Sequence, residues 1–176
     1  MAKMKSIDKL GIVFLFIIGF SLGNVAKAQM TQDKVQALYI LSFLKYIEFP
    51  AAGTAYKIGY FGGNSTNFDD MAGYLEARKS NGKAIEMAKV DMGSNLSDYN
   101  IIFIASDKTS DFEQVSAKIQ DKPVVIVTEK SDLVQQGASI SFVKVGANIK
   151  FQLNEDSFRQ KNLKVSGSLI SLAIVV

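Results

Sequence analysis

From Gln29 onward, stretches whose apolar residues recur every three to four positions alternate with short runs that are apolar throughout. Ala37, Ile40, Leu41, Leu44 and Ile47 fall on one helical face behind a Thr31 cap, with Asp33 in the first turn. Phe49-Pro50 ends this predicted helix, because the residue before proline is pushed out of the helical region. Tyr56 to Phe61 reads as a strand closed by Gly62-Gly63-Asn64, and a helix follows over about 67–79, capped by Ser65 or Thr66. Asn81-Gly82 makes a turn into a strand over Lys83 to Val90. Ile101 to Ala105 and Val124 to Val127 are continuous apolar runs, the signature of central parallel strands covered on both faces. Between them Ser110-Asp111-Phe112-Glu113 predicts a capping box opening a helix to about Gln120. Ser131 to Gln136 forms a helical turn, with Gly137 past its end. Ser139 to Lys144 and Ala147 to Leu153 then pair as a hairpin, and Asn154 caps a short helix carrying Glu155 and Asp156. Ser166 is the expected cap of a last helix burying Leu169, Ile170, Leu172 and Ala173. The alternation predicts an α/β fold: a single open, mostly parallel sheet flanked by helices, with a C-terminal antiparallel hairpin.

The first 28 residues follow another pattern. Lys3, Lys5 and Lys9 precede an apolar stretch from Leu10 to Gly23, and Ala26-Lys27-Ala28 places small residues where a signal peptidase reads. The apolar core spans about 14 residues, short of the roughly 20 a membrane-spanning helix needs. Residues 1–28 are therefore expected to be a cleavable export signal and residues 29–176 one domain, periplasmic after cleavage, with no remaining membrane insertion.

Removing that segment changes the charge. The 20 basic and 17 acidic residues lose four lysines and one aspartate, leaving 16 of each sign. A neutral domain offers no global attraction for nucleic acid or an anionic membrane surface. The chain contains neither histidine nor cysteine. Disulfides, thiolate nucleophiles, serine–histidine triads and the usual zinc and copper ligand sets are thus excluded. No cofactor is expected, and an enzyme is the less favoured class. A hydrolase would need paired carboxylates in one cleft.

Two groups of residues are candidates for binding. Tyr39, Phe43 and Tyr46 form a second apolar stripe on the first helix, at the spacing of one face. As an exposed surface it would be a protein interface, and a possible homodimer contact. Apolar stripes at helical spacing are more often core. The second group lies at the carboxyl ends of the predicted strands: Gly62, Gly63, Asn64 and Ser65, with Ser106-Asp107 and Thr128-Glu129. In an open parallel sheet such ends converge, so Gly62, Gly63, Asn64, Ser65, Ser106 and Thr128 are candidate lining for a small-ligand pocket. Ordinary capping and turn chemistry would place the same residue types there. A receiver-like phosphotransfer site is rejected, because Gly62-Gly63 stands where an acidic pair is needed.

The segment Ala37-Leu38-Tyr39-Ile40-Leu41-Ser42-Phe43-Leu44-Lys45-Tyr46-Ile47-Glu48-Phe49-Pro50 resembles the N-terminal helix of the YfiR family of periplasmic proteins. Ile149 to Asn154 and Leu163 to Ala173 resemble that family's later strand and closing run. Phe49 stands where the family usually has tryptophan, and the namesake's cysteines are missing. The resemblance implies an exported regulatory protein that restrains a membrane-bound signalling partner, such as a diguanylate cyclase or a sensor kinase, by protein–protein binding. The alternative is a periplasmic small-ligand-binding module without catalytic activity.

Overall fold

The computed structural model describes residues 30–50 and 53–176, so the export signal assigned to residues 1–28 lies outside the described residues. Helix α1 (Gln32–Tyr46) begins behind Thr31, whose hydroxyl accepts from the Lys34 amide. A short β1 (Ile47–Glu48) leads to β2 (Ala55–Phe61), α2 (Ser65–Glu76), β3 (Lys79–Ser80), β4 (Lys83–Lys89) and β5 (Ile101–Ile104). A 3₁₀ turn (Ser106–Asp111) runs into α3 (Phe112–Lys118), followed by β6 (Val125–Thr128) and a second turn (Ser131–Val134). The chain ends with β7 (Ile140–Val145), β8 (Asn148–Leu153), α4 (Glu155–Gln160), β9 (Lys164–Val165), α5 (Gly167–Ile170) and β10 (Ile174–Val175).

Eight strands form one sheet in the order β10-β8-β7-β6-β5-β2-β4-β3. Strands β4, β2, β5, β6 and β7 run parallel, and β7–β8 is the expected antiparallel hairpin. Side-chain alternation sorts the two faces. Ile101, Phe103, Val125 and Val127 join a core under α1 and α2, while Ile102, Ile104 and Ile126 join a second core with Phe112 and Val115 of α3. Every residue of β5 and β6 is at most 1 % exposed, as strands covered on both faces require.

Four local details differ from the sequence pattern. Asn64, not Ser65 or Thr66, caps α2, its side chain accepting from the Thr66 amide. That helix stops at Glu76, because Lys79 and Ser80 turn back along β4. Asn81 and Gly82 both have positive φ (49° and 78°), the conformation of a tight two-residue hairpin. The capping box at Ser110 does not form: the 3₁₀ turn starts directly after β5, and Asp111, with no side-chain capping bond, precedes α3. The last predicted helix is a single turn. Ser166 does cap it and Leu169 is fully buried, but Leu172 is 61 % exposed. Ile174 and Val175 instead pair in parallel with β8. Isoleucine and valine are stiff at χ1 and favour the pleated strand over another helical turn.

Candidate functional site

The chain passes from β2 through α2 to β4 on one side, then crosses β2 to place β5 on the other. The carboxyl ends of β2 and β5 therefore flank the switch in strand order, where a crevice opens in sheets of this kind. The start of α1 reaches the neighbouring strand end, where Gln32 and Gln36 both bond Glu129, the residue after β6.

Glu129 is the hub. It follows β6, where the buried Thr128 hydroxyl accepts from the Lys130 amide and donates to its carbonyl, locking the turn. One Glu129 carboxylate oxygen accepts from the Ser106 amide at 2.7 Å. The other accepts from Gln36 Nε2 at 2.8 Å and Gln32 Nε2 at 3.3 Å. A single carboxylate thus ties the exit of β5 to the start of α1. Beside it is a cleft of about 150 Å³ lined by Gln32, Gln36, Glu129, Ser131, Phe142 and Lys144 among others.

Asp107 makes the equivalent tie to β2, accepting from the Gly63 amide at 2.7 Å. Tyr60 lies in the β2 wall, its ring stacked on Phe103 with centroids 5.6 Å apart. That ring leans along the strand over Gly62. A Cβ there would stand 2.6 Å from Tyr60 Cε1 and 3.0 Å from Cζ, so glycine is what lets the ring pass. The Tyr60 hydroxyl is thereby carried toward the strand ends. Burial, then the charges of Glu129, Asp107 and Asp33, push it up to about 12. Burial also raises Asp33 above its ordinary value, and Glu129 and Asp70 add to the effect.

The six pocket candidates lie at or just after the ends of β2, β5 and β6, and most of their polar groups are engaged within the chain. The Gly63 and Ser106 amides are taken by Asp107 and Glu129, Asn64 caps α2, and Thr128 bonds Lys130. Gly62 admits the Tyr60 ring, and the side chain of Ser65 lies outside the described residues. Two buried oxygens are left without a protein hydrogen-bond partner there: Tyr60 Oη and Gln36 Oε1, on residues each 1 % exposed. Sequence reasoning named neither. The one signal for Tyr60 was the glycine two positions later on the same strand face.

The aromatic stripe divides. Phe43 is 0 % exposed, so it is core and offers no surface to a partner. Tyr39 is half-buried and donates its hydroxyl to the Ile149 carbonyl at 3.0 Å. Tyr46 is half-buried at the end of α1, under the Lys45 ammonium. The apolar side chains that remain well exposed include Leu172, Ile174, Val175 and Val176, along the sheet's β10 edge. Among the described residues, no set of three acidic side chains converges to hold a metal ion, and no helix is long and apolar enough to cross a membrane.

A family model described as YfiR/HmsC-like matches residues 33–174. No curated protein matches the chain. Among solved structures it is similar to an "ABC domain" from Streptococcus pneumonia in complex with L-Trp, at 16 % identity and a TM-score of 0.58, covering 80 % of this chain and 60 % of that one. It is also similar to a conserved domain protein from Vibrio cholerae O1 biovar El Tor, at 11 % identity and a TM-score of 0.60, covering 84 % and 60 % respectively. The chain thus spans about 60 % of the length of each. At these identities the likeness shows the fold.

Proposed function

The chain belongs to the YfiR/HmsC-like family, and from that membership we propose that it restrains a membrane-bound signalling partner by binding it from the periplasm. The family is one of periplasmic regulators, and its match over residues 33–174 is the observation that carries the reading. The partner would be a diguanylate cyclase or a sensor kinase. Restraint requires only a difference in affinity: the protein binds the inactive state of the partner more tightly and shifts its population. Each tenfold difference corresponds to about 1.4 kcal/mol. The exposed apolar residues Leu172, Ile174 and Val175 supply a contact surface that the buried Phe43 does not. A homodimer would draw on the same edge.

Deleting the gene while keeping the partner intact should raise the partner's cytoplasmic output, read as cyclic diguanylate level or kinase signalling. Unchanged output would sink the reading. Identifying what co-purifies with the exported protein tests the same point from the other side.

A second reading, a small-ligand-binding module, is favoured by the solved neighbour that was crystallised in complex with L-Trp and by the cleft beside Glu129. A ligand that binds the folded state raises the melting temperature by mass action. A ligand screen by thermal shift, in the absence of any protein partner, tests it.

A further inference from the structure

Away from the strand ends, the outer face of α1 meets the β3 edge of the sheet in an open groove of about 470 Å³. Leu38, Leu41, Ser42 and Lys45 fall at i, i+3, i+4 and i+7 of α1 and form one wall. The other wall runs from Arg78 to Asn81, and Asn81 Nδ2 fastens it to the helix end by donating to the Leu44 carbonyl at 3.2 Å. Leu38 is 39 % exposed, and the Ser42 hydroxyl is satisfied within the helix by the Leu38 carbonyl, so the α1 wall is apolar up to Lys45. The groove carries three cations, Lys45, Arg78 and Lys79, and no carboxylate among the described residues that line it. None of the three is ion-paired among the described residues. The acidic residues nearest to them in sequence are turned elsewhere: Glu48 pairs with Lys164, and Glu76 accepts from the Met87 amide at 2.9 Å. Rings hold two of the cations instead. The Arg78 guanidinium lies 3.5 Å from the Tyr74 ring centroid, and the Lys45 ammonium 5.0 Å from that of Tyr46.

We propose that this groove docks an acidic amphipathic helix of a partner protein, its apolar face against Leu38 and Leu41 and its carboxylates on Lys45, Arg78 and Lys79. Helix-in-groove binding needs apolar anchors at helical spacing and charges that fix the register, and both are present here. The sign of the charge selects the partner. Cations with no carboxylate to balance them attract an acidic segment and repel a basic one. Arg78, already held against Tyr74, can take a carboxylate on two N–H groups at once. Ser42 is small and lets a second helix approach α1 closely. A concave site between two elements suits a helix better than the flat face of an anionic bilayer. The groove lies at β3, the opposite edge of the sheet from β10, so it is a surface separate from Leu172, Ile174 and Val175. It does not depend on the restraint of a membrane partner.

Fluorescence anisotropy of the purified protein tests this with two labelled helical peptides, each with a leucine face, flanked by glutamates in one and by lysines in the other. The glutamate peptide should bind saturably and more weakly as salt is raised, and the lysine peptide should not bind. K45E/K79E should weaken the glutamate peptide at least about fivefold at low salt, the scale of two exposed ion pairs lost. Leu38→Ser should weaken it several-fold without altering the salt dependence. All three side chains are exposed, so the melting temperature should change little. If K45E/K79E does not fold, K79Q and Leu38→Ser carry the test. No saturable binding of the glutamate peptide, equal binding of both peptides, or binding that ignores both changes would each overturn the proposal. Phosphatidylglycerol vesicles that bind the protein and displace the glutamate peptide would overturn it too, assigning the cations to a lipid surface. Partner output after gene deletion bears on the restraint reading alone, so the two can fail separately.

Discussion

Phe43 meets Phe151 edge-on, ring centroids 5.1 Å apart and interplanar angle 71°, with both residues 0 % exposed. Phe142 lies against Phe43 as well, at 6.1 Å. This cluster fastens α1 to the hairpin β7–β8. Phe43→Asp would bury an unpaired charge, and the protein should fail to fold or aggregate. Phe43→Leu keeps most of the volume and should fold with a loss of about 1–3 kcal/mol, read by urea denaturation. A folded, monomeric Phe43→Asp protein would mean that the residue faces a second subunit.

Asp33 sits where the helix dipole should favour it, but burial and the nearby Glu129 raise its pKa above the ordinary 3.8. The folded protein therefore holds this proton more readily than the unfolded chain. Its contribution to stability is fully present below pH 3.8 and is lost as pH rises through the raised native value. Asp33→Asn should raise the melting temperature at pH 7, and the gap from wild type should narrow as the buffer is made more acidic. Added salt should narrow it as well. A variant less stable than wild type at pH 7 would show that the dipole outweighs the crowding of charge.

How legible was all this in the sequence? Strands β5 and β6 were plain, because burial on both faces leaves a continuous apolar run that needs no knowledge of its neighbours. The hairpin β7–β8 was equally visible around Val145-Gly146. The tail was not: one turn at Gly167–Ile170 and a two-residue strand are too short for either periodicity to register. Gly62, Ser106 and Thr128 could be placed at strand ends because strand ends can be read locally. Gln36 looked like one more helix polar residue, and only the fold brings it against Glu129, 93 positions away in the chain. Tyr60 looked like ordinary strand filling. Nothing local says that its hydroxyl has no partner.

Lys161 is 7 % exposed, and its ammonium reaches Ser139 Oγ at 3.3 Å, with no salt bridge to a carboxylate among the described residues. Burial lowers it from 10.5 to about 8. Between those values the unfolded chain keeps its proton while the folded protein has shed one, so stability rises with pH across this window. Below about 8 the protein bears the full cost of a buried ammonium, on the order of 3 kcal/mol. Lys161→Met should be more stable than wild type at pH 7, with the difference shrinking from pH 8 toward 10. Parallel urea curves for the two proteins would check it. Equal pH dependence in both would place the ammonium in solvent.

The two adjacent glycines after β2 should respond differently to the same substitution. At Gly62 a Cβ would sit 2.6 Å from Tyr60 Cε1 and 2.7 Å from the Ala105 Cβ, both fixed parts of the packed sheet. At Gly63 the near atom is Asp107 Oδ2 at 2.8 Å, the end of a side chain on an exposed residue that can swing away. Neither glycine has a positive φ, so backbone strain does not enter. Gly62→Ala should therefore cost about 1–3 kcal/mol through displacement of the Tyr60 ring. Gly63→Ala should cost under about 1 kcal/mol, chiefly the weakened bond from its amide to Asp107. Combining Gly62→Ala with Tyr60→Leu should cost less than the two single changes added together, because the shorter side chain vacates the space the methyl needs. Denaturation of the four proteins gives the coupling directly. Strict additivity would show that Tyr60 does not lean over Gly62.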